Sequence, residues 1–248
     1  MAIARFFIPL PLGPGMRFSL PPGPARHGAK ALRLKAGDGI TLFNGEGGEC
    51  LARIERIVED ELFVSVIGCG GMERESNLDI RLAQGISSGE RMDYTLQKSV
   101  ELGVAAIQPL ALRRSVVKLS TERAERRVNH WQGVVIAACE QSGRNRVPEV
   151  AKPLDLPHWL AARPEGVRLL LSPESEQTLK HLAVPQGPVW LMAGPEGGFE
   201  PDEAKLAVQN GFVPVRLGPR ILRTETAALA AISAMQMLWG DFGKGIAD

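Results

Sequence analysis

The stretch VWLMAGPEGG at residues 189–198 decides the fold class. Its first half, Val189–Ala193, is a short apolar run that predicts a β-strand. A glycine-rich loop follows, and Pro201-Asp202-Glu203 then predicts the first turn of a helix, because proline is tolerated there and acidic side chains favour the positive end of the helix dipole. The succession of strand, loop and helix indicates an α/β protein.

The same alternation extends in both directions from this stretch. Further strands are predicted at residues 78–85, Val104–Ile107, Val167–Leu171 and Val213–Leu217, and further helices at Glu90–Leu102, from Thr121 as N-cap to just before Gly143, and at Thr224–Trp239. Pro109 is expected to close one strand, and Pro214 to confine another to a sheet edge. Strands separated by helices predict a mostly parallel sheet that is covered on both faces.

The first 75 residues follow a different pattern, that of a small all-β domain. Ile40–Phe43 precedes Asn44-Gly45, a strong hairpin signal, and Phe63–Ile67 continues the series of short strands. Gly68, Gly70 and Gly71, with the charged residues after them, are expected to form a linker. A small β-barrel is the natural architecture, since closure removes exposed strand edges.

The final helix, Thr224–Trp239, has hardly any polar face. A helix that is apolar nearly all round must be buried on more than one side. We expect a second subunit to bury the other side of this helix. The alternative is that the helix lies at the centre of a single chain.

The charge of the chain is balanced in total but segregated along the sequence. The chain has 248 residues and a formal net charge of +1, yet residues 1–35 carry +6 and residues 36–75 carry −6. A second basic cluster, from Arg113 to Arg127, carries +4 and includes Lys118. Segregated basic stretches are typical of phosphate contacts, although they also occur as ordinary solvated faces.

The cysteines and the N-terminus indicate the cellular compartment of the protein. Cys50, Cys69 and Cys139 are scattered and form no CxxC motif, which argues for a reducing compartment and against a disulfide framework or a zinc site. Cys139 is expected in the core. The N-terminus shows no secretory signal, and no apolar run has the ~20 residues that a membrane span needs. We therefore expect a cytoplasmic protein with no membrane contact and no metal.

Three loops at the carboxyl ends of predicted strands indicate a ligand site, because ligands of open α/β sheets bind at that edge. They are Ser172-Pro173-Glu174, Gly194–Gly198 and Gly218–Thr226. Glycines let backbone amides approach a ligand closely, and Thr224 is expected to cap the last helix. The chain contains no GxxxxGK[ST] motif, the glycine spacing at Gly194–Gly198 is not GxGxxG, and no Ser/His/Asp arrangement is legible.

The motifs around these loops resemble one family. Gly194–Phe199 followed by Leu217–Ala227 is similar to the RsmE family of bacterial 16S rRNA (uridine-N3) methyltransferases. Gln97–Val104, Ala137–Arg146, Arg5-Phe6-Phe7, and His27 with Ala31-Leu32-Arg33 and Gly37-Asp38 match the same family. One departure is Gly28-Ala29, where an apolar residue is expected, and it concerns only the role of His27.

The resemblance implies a fold, a reaction and partners. The fold is a SPOUT-type α/β domain at residues 75–248 with a C-terminal deep trefoil knot, preceded by a PUA-like RNA-binding β-barrel at residues 1–74. The reaction is methylation of N3 of a specific uridine in the decoding region of 16S rRNA, within the small ribosomal subunit, with S-adenosylmethionine as methyl donor. A homodimer with sites at its interface is also implied, in agreement with the apolar last helix.

The resemblance also assigns roles to residues of this sequence. The cofactor-binding set is Leu171, Ser172, Pro173, Gly194, Pro195, Glu196, Gly197, Leu217, Gly218, Ile221, Leu222, Arg223, Thr224, Thr226 and Ala227. For catalysis, Arg223 and then Arg220 are the candidates to stabilise negative charge on the uracil carbonyls, and Glu196 or Glu225 to accept the N3 proton. The RNA-binding candidates are Arg5, Arg17, His27, Arg33, Arg91, Lys98, Arg114 and Arg144.

Two alternative functions remain open from the sequence. One is a related knotted methyltransferase that acts on another RNA site. The other is a non-catalytic RNA-binding factor for ribosome assembly that retains the loops as a scaffold. A nucleotide-dependent oxidoreductase is disfavoured by the missing fingerprint.

Overall fold

The computed structural model describes residues 3–59, 61–115, 121–162 and 164–243. The chain divides into two compact units. The first holds residues 1–75 and 139–147, and the second holds residues 76–138 and 148–248. Residues 139–147 pack with the first unit although they lie far beyond the predicted boundary. Lys118 of the second basic cluster and the side chain of Thr121 lie outside the described residues.

The first unit is built on a five-stranded sheet with the order β1-β3-β4-β5-β2. The strands are β1 (Ala4–Phe7), β2 (Arg17–Ser19), β3 (Gly39–Phe43), β4 (Glu49–Val58) and β5 (Glu61–Gly70), and a short helix α1 (Pro22–Arg26) with a π-helical turn (His27–Ala31) follows β2. β1 and β3 are parallel, and the other pairs are antiparallel. Alternate residues of β4 and β5 face the core, as the period of a strand requires.

The hairpin prediction is confirmed, and the linker prediction is wrong in part. β3 and β4 pair as antiparallel neighbours across the turn that contains Asn44-Gly45. Gly68 and Gly70 are strand residues, because β5 continues to Gly70 opposite Glu49. The long register with β4 outweighs the low strand preference of glycine.

The expectation that the chain lacks a disulfide is wrong. Cys50 of β4 and Cys69 of β5 occupy facing positions, their Cα atoms are 4.0 Å apart, and their sulfurs are bonded. A sequence separation of 19 residues carries no signal for such a pair, since the strand register alone decides which residues face each other. Cys139 is buried and free, and burial raises the pKa of its thiol to about 12.

The second unit contains the predicted parallel sheet, with the order β12-β10-β11-β6-β7-β8 and β9 beside β7. Its strands are β6 (Ile80–Gly85), β7 (Val104–Ala111), β8 (Glu149–Val150), β9 (Leu154–Asp155), β10 (Val167–Leu171), β11 (Val189–Ala193) and β12 (Val213–Val215). Every pair of neighbours is parallel. β12, which contains Pro214, is an edge strand as predicted, although it ends two residues early.

Four helices lie where the sequence predicts them: α2 (Gly89–Glu101), α3 (Thr121–Ser142), α5 (Pro201–Gln209) and α6 (Thr224–Trp239). The structure adds the short helix α4 (Leu156–Ala161) and a 3₁₀ turn at Leu179–His181, for which no prediction is made. Pro201 opens α5 as expected, and the backbone N–H of Glu200 donates to Glu203 at 3.0 Å. No helix among the described residues is long and apolar enough to cross a membrane.

Pro109 does not close its strand, because β7 runs on to Ala111. Ile107 pairs with β8 and Ala111 with β9 on one side of β7, and Pro109 lies between them. Backbone groups of alternate residues point to the same side of a strand, so Pro109 faces the point where β8 ends and β9 begins. The missing N–H therefore removes no ladder hydrogen bond.

Candidate functional site

A cavity of about 420 Å³ lies at the carboxyl ends of β10, β11 and β12. Its walls come from the three loops singled out in the sequence. They include all of the predicted cofactor residues except Thr226, namely Leu171, Ser172, Pro173, Gly194, Pro195, Glu196, Gly197, Leu217, Gly218, Ile221, Leu222, Arg223, Thr224 and Ala227. Arg220 and Glu225 also line it. The structure thus brings together three segments that are separated by about twenty residues each.

Some lining residues escape sequence reasoning. Gly198 lies in a predicted loop but outside the predicted cofactor set, and Ala193, Phe199, Val215 and Arg216 lie within three residues of a predicted loop, so wider boundaries include them. Arg91 comes from α2, a separate element, and its place in the wall depends on helix packing. Sequence reasoning had assigned it to RNA binding only.

The glycine-rich loop is tightly folded. A Cβ on Gly194 would lie 3.1 Å from Cα of Gly198, and Gly198 has a φ of +69°, which favours glycine. The N–H of Gly198 donates to the carbonyl of Pro195 at 2.9 Å. The glycines are therefore required by the turn itself, and they hold its backbone against the cavity.

Glu196 connects this loop to the start of α2. One carboxylate oxygen, Oε1, accepts hydrogen bonds from the N–H of Ser88 at 2.9 Å and its hydroxyl at 2.7 Å, and the guanidinium of Arg91 lies 3.3 Å away. Burial opposes ionisation of Glu196, but the hydrogen bonds from Ser88 and Arg91 outweigh it and hold the pKa of the carboxyl below its usual range. Glu196 is consequently ionised and held by partners within the protein.

Arg114 braces the outer side of the same loop. Its guanidinium donates to the carbonyl of Gly197 at 2.8 Å and to the carboxylate of Glu200 at 2.8 Å. Its half-exposed side chain leaves it at the surface. Sequence reasoning placed Arg114 in RNA binding, and the structure adds a contact with the cavity wall.

The catalytic candidates differ in how they are held. Arg220 and Arg223 are exposed where they line the cavity. Glu225 is half-buried, and within the described part of the chain its Oε2 atom is buried with no hydrogen-bond partner. A buried carboxylate oxygen without a partner is costly, and the Oε2 atom of Glu196 is in the same position among the described residues.

The start of α6 differs from the prediction. Arg223 is the N-cap residue of this helix, and Thr224 is its first helical residue. The Thr224 hydroxyl donates to the carbonyl of Gly194 at 2.5 Å, so it joins the helix to the glycine-rich loop. Cap preferences are local, whereas this contact depends on a residue thirty positions away.

Comparison with known proteins identifies the family. A family model described as an RNA methyltransferase domain matches residues 74–236, and an RNA methyltransferase PUA domain matches residues 25–67. The ribosomal RNA small subunit methyltransferase E of Buchnera aphidicola from Acyrthosiphon pisum is 35% identical, over 86% of this chain and 85% of its own. The chain belongs to this methyltransferase E family. The Bacillus subtilis member is 30% identical over 90% of this chain and 93% of its own.

Solved structures agree with the family assignment. A ribosomal RNA small subunit methyltransferase E of Neisseria gonorrhoeae, bound to S-adenosyl methionine, is 44% identical with a TM-score of 0.91 and covers 97% of this chain and 100% of its own. A methyltransferase of Legionella pneumophila in complex with the cofactor SAM is 41% identical with a TM-score of 0.95, over 98% and 100%. The resemblance to the methyltransferase E family that the motifs indicated is confirmed.

The RNA-binding candidates differ in how far their side chains are exposed. Arg17, His27 and Arg33 are exposed on the first unit. Lys98, on α2 of the second unit, is half-buried and pairs with Glu101 at 2.7 Å.

Arg5 and Arg144 are engaged inside the first unit. Arg5 donates to Glu49 at 2.5 Å and to Asn145 at 2.6 Å. Arg144 is 4% exposed and its Nε donates to Glu75 at 3.0 Å. We therefore leave these two guanidinium groups out of the RNA surface. Among the described residues, no group of three or more His, Cys, Asp or Glu side chains is placed to hold a metal.

Proposed function

We propose that this methyltransferase E family member transfers a methyl group from S-adenosylmethionine to N3 of a uridine in the decoding region of 16S rRNA. The observation that carries the proposal is the single cavity that the three loops enclose. Its lining includes the two candidate arginines, Arg220 and Arg223, and the two candidate carboxylates, Glu196 and Glu225. The solved relatives bound to S-adenosyl methionine support the choice of cofactor.

The residues around the cavity fit this cofactor. A volume of about 420 Å³ lies in the range of small-molecule sites. Leu171, Leu217 and Leu222 provide apolar walls for a purine, and a Cβ on Gly218 would meet no atom within 4 Å, so this loop leaves space beside its backbone. When bound, S-adenosylmethionine supplies an activated methyl group on a sulfonium.

Arg223 is the residue that we assign to charge stabilisation. Loss of the N3 proton leaves negative charge on the flanking carbonyl oxygens of uracil, and a fixed cation beside them stabilises that charge. Arg223 is exposed at the cavity wall, where its N-cap position in α6 fixes its backbone. Arg220, in the same loop, is the second candidate.

Glu225 is a better proton acceptor than Glu196. Glu196 already accepts hydrogen bonds from Ser88 and Arg91, and its lowered pKa makes it a weak base. Both carboxylates line the cavity with an Oε2 atom that is buried and has no partner among the described residues, so the difference between them lies in Oε1 of Glu196, which Ser88 and Arg91 hold. We therefore propose that Glu225 accepts the N3 proton of the uridine and that Glu196 is a positioning residue.

The proposal includes the assembly and the finer fold. Ile221, Met237, Leu238 and Phe242 are apolar and at least 43% exposed, which supports a second copy of the chain as their cover, in a homodimer. The PUA domain match supports a PUA-like barrel that presents Arg17, His27 and Arg33 to RNA. The family resemblance supports a deep trefoil knot in the C-terminal segment, and an rRNA substrate supports a cytoplasmic location.

A methyl-transfer assay tests the proposal. The purified protein is incubated with labelled S-adenosylmethionine and small ribosomal subunits that lack the modification, with naked 16S rRNA in parallel. Nuclease digestion and mass spectrometry should find N3-methyluridine in the decoding region. Label at another RNA position favours a related methyltransferase, and cofactor binding without transfer favours an assembly factor. Sedimentation of the same sample reports the dimer.

A further inference from the structure

Gln84 is a fully buried polar residue at the carboxyl end of β6, beside the cavity but not in its lining. The other residues of this strand are apolar, glycine or partly exposed, as expected for a central parallel strand. A buried amide costs free energy unless its hydrogen bonds are made. The Oε1 atom of Gln84 has no hydrogen-bond partner among the described residues, so the presence of this amide requires a reason other than packing.

The amide of Gln84 contacts two walls of the cavity at once. Its Nε2 group has two hydrogens and lies within hydrogen-bond distance of three acceptors, so one hydrogen is shared: the carbonyl of Gly194 at 3.2 Å, the hydroxyl of Thr224 at 3.1 Å and the carbonyl of Gly85 at 3.0 Å. Thr224 in turn donates its single hydroxyl hydrogen to Gly194 at 2.5 Å. Gln84, Thr224 and Gly194 thus form a closed triangle, which we call the Gln84 latch.

Backbone packing around the latch leaves little freedom. A Cβ on Gly85 would lie 2.6 Å from the backbone nitrogen of Pro195. The end of β6 therefore lies directly against the glycine-rich loop, and only a glycine fits beside Gln84. The latch holds the peptide after Gly194 at the point where β11 ends and the cavity begins.

We propose that Gln84 is a positioning residue that sets the distance between the glycine-rich loop and the start of α6, and with it the affinity of the cavity for the cofactor. This inference rests on the proposed function. Without the amide, the Gly194 carbonyl keeps one donor, and the Thr224 hydroxyl is no longer oriented by an incoming hydrogen bond. The two walls then separate more readily while the sheet stays intact.

Neighbouring strand β7 supplies a matched control. Gln108 is also buried, and its Nε2 donates to the carbonyls of Pro109 and Lys152, both at 2.9 Å. Neither partner lines the cavity. Gln84→Met and Gln108→Met therefore remove the same group from equally buried sites, and only the first removes it from the latch.

Calorimetry with S-adenosylhomocysteine measures the affinity without the methyl-transfer step. We expect Gln84→Met to weaken binding about tenfold, as the loss of one or two hydrogen bonds does, and Gln108→Met to leave it within about twofold. Thr224→Val, which removes the hydroxyl that lies between Gln84 and Gly194, should also weaken binding. In turnover assays, Gln84→Met should raise KM for the cofactor and change kcat much less.

Coupling between the two side chains gives the sharpest result. The double variant Gln84→Met with Thr224→Val should bind little worse than either single variant, because both remove the same triangle. Wild-type affinity in Gln84→Met, or losses that multiply in the double variant, would overturn the latch. If Gln84→Met fails to fold, Gln84→Asn decides, because it keeps a buried amide but shortens the side chain by one methylene and withdraws Nε2 from both partners: wild-type affinity in Gln84→Asn overturns the latch. Failure of the wild-type protein to bind S-adenosylhomocysteine would instead overturn the proposed function.

Discussion

The hydroxyl of Ser88 donates a 2.7 Å hydrogen bond to the carboxylate of Glu196, which lies 108 positions further along the chain. Ser88 is the N-cap residue of α2, but its side chain does not cap the helix. The carboxylate of Glu196 takes over instead, since it accepts the Ser88 N–H and brings negative charge to the positive end of the helix dipole. The carboxylate of Glu196 therefore links the wall of the cavity to the start of α2.

Replacing Glu196 should lower the stability of the protein. Glu196→Gln keeps the shape but removes the charge that the Ser88 and Arg91 donors favour, so we expect a loss of about 1 to 2 kcal/mol in the free energy of unfolding. Because the pKa is lowered in the folded state, the charge stabilises the protein above the usual carboxyl pKa of about 4.3, and this stabilisation is lost as the pH falls through the folded pKa.

Thermal unfolding between pH 3 and 8 measures this difference, and the wild-type and Glu196→Gln curves should converge at the acidic end. Glu90→Gln, an exposed change on α2, is the control for general loss of charge. Parallel curves at every pH would contradict the role of the Glu196 charge.

Replacing Arg223 should separate binding from transfer. Arg223→Ala is expected to retain S-adenosylmethionine binding but to lose methyl transfer by a factor of about 100 or more, the size of a lost electrostatic stabiliser. Arg223→Lys keeps the charge and should recover part of the rate. Single-turnover assays on small subunits measure this, and wild-type turnover by Arg223→Ala would refute the assignment.

Replacing Glu225 tests the proton acceptor. Glu225→Gln is nearly isosteric but cannot accept the N3 proton, so kcat should fall about 100-fold while KM for RNA changes little. Glu174→Gln, an exposed acid in the loop after β10, serves as the control. A larger loss in Glu196→Gln than in Glu225→Gln would reverse the two roles.

RNA binding should depend steeply on salt. Phosphate contacts release counterions, so log affinity should fall linearly with log salt concentration. Arg33→Ala should weaken binding and reduce the slope by about 1, whereas Lys180→Ala, at an exposed site in the second unit, should change neither. Filter binding to 16S rRNA fragments at several salt concentrations measures the slope. A flat dependence is incompatible with the proposed surface.

Cysteine mapping tests the disulfide between Cys50 and Cys69. Digestion without reductant should yield one linked peptide pair containing Cys50 and Cys69, and Cys139 should react with alkylating reagents only after denaturation, because it is buried with a pKa of about 12. A disulfide that closes a loop of this length contributes about 3 kcal/mol, so Cys50→Ser should lower the melting temperature of the oxidised protein. Alkylation of Cys50 and Cys69 in the native, unreduced protein would contradict the pairing.

Local sequence signals determined most of the elements and the position of the cavity. β10, β11 and α6 begin and end where apolar runs, glycines and prolines predict, because these signals act within one or two turns of chain. The three loops were found for the same reason. Parallel strands place their carboxyl ends at one edge, so loops of unusual composition after successive strands must converge.

Contacts between distant residues were decided only by the tertiary structure. The Cys50–Cys69 bond depends on the register of β4 and β5, and Arg5 and Arg144 are withdrawn from solvent by carboxylates far away in the chain. The Ser88–Glu196 contact and the Gln84 latch depend on the strand order, in which β6 lies beside β11. A residue's local preferences set its strand or helix, but its partners are set by packing and register, which no spacing in the sequence encodes.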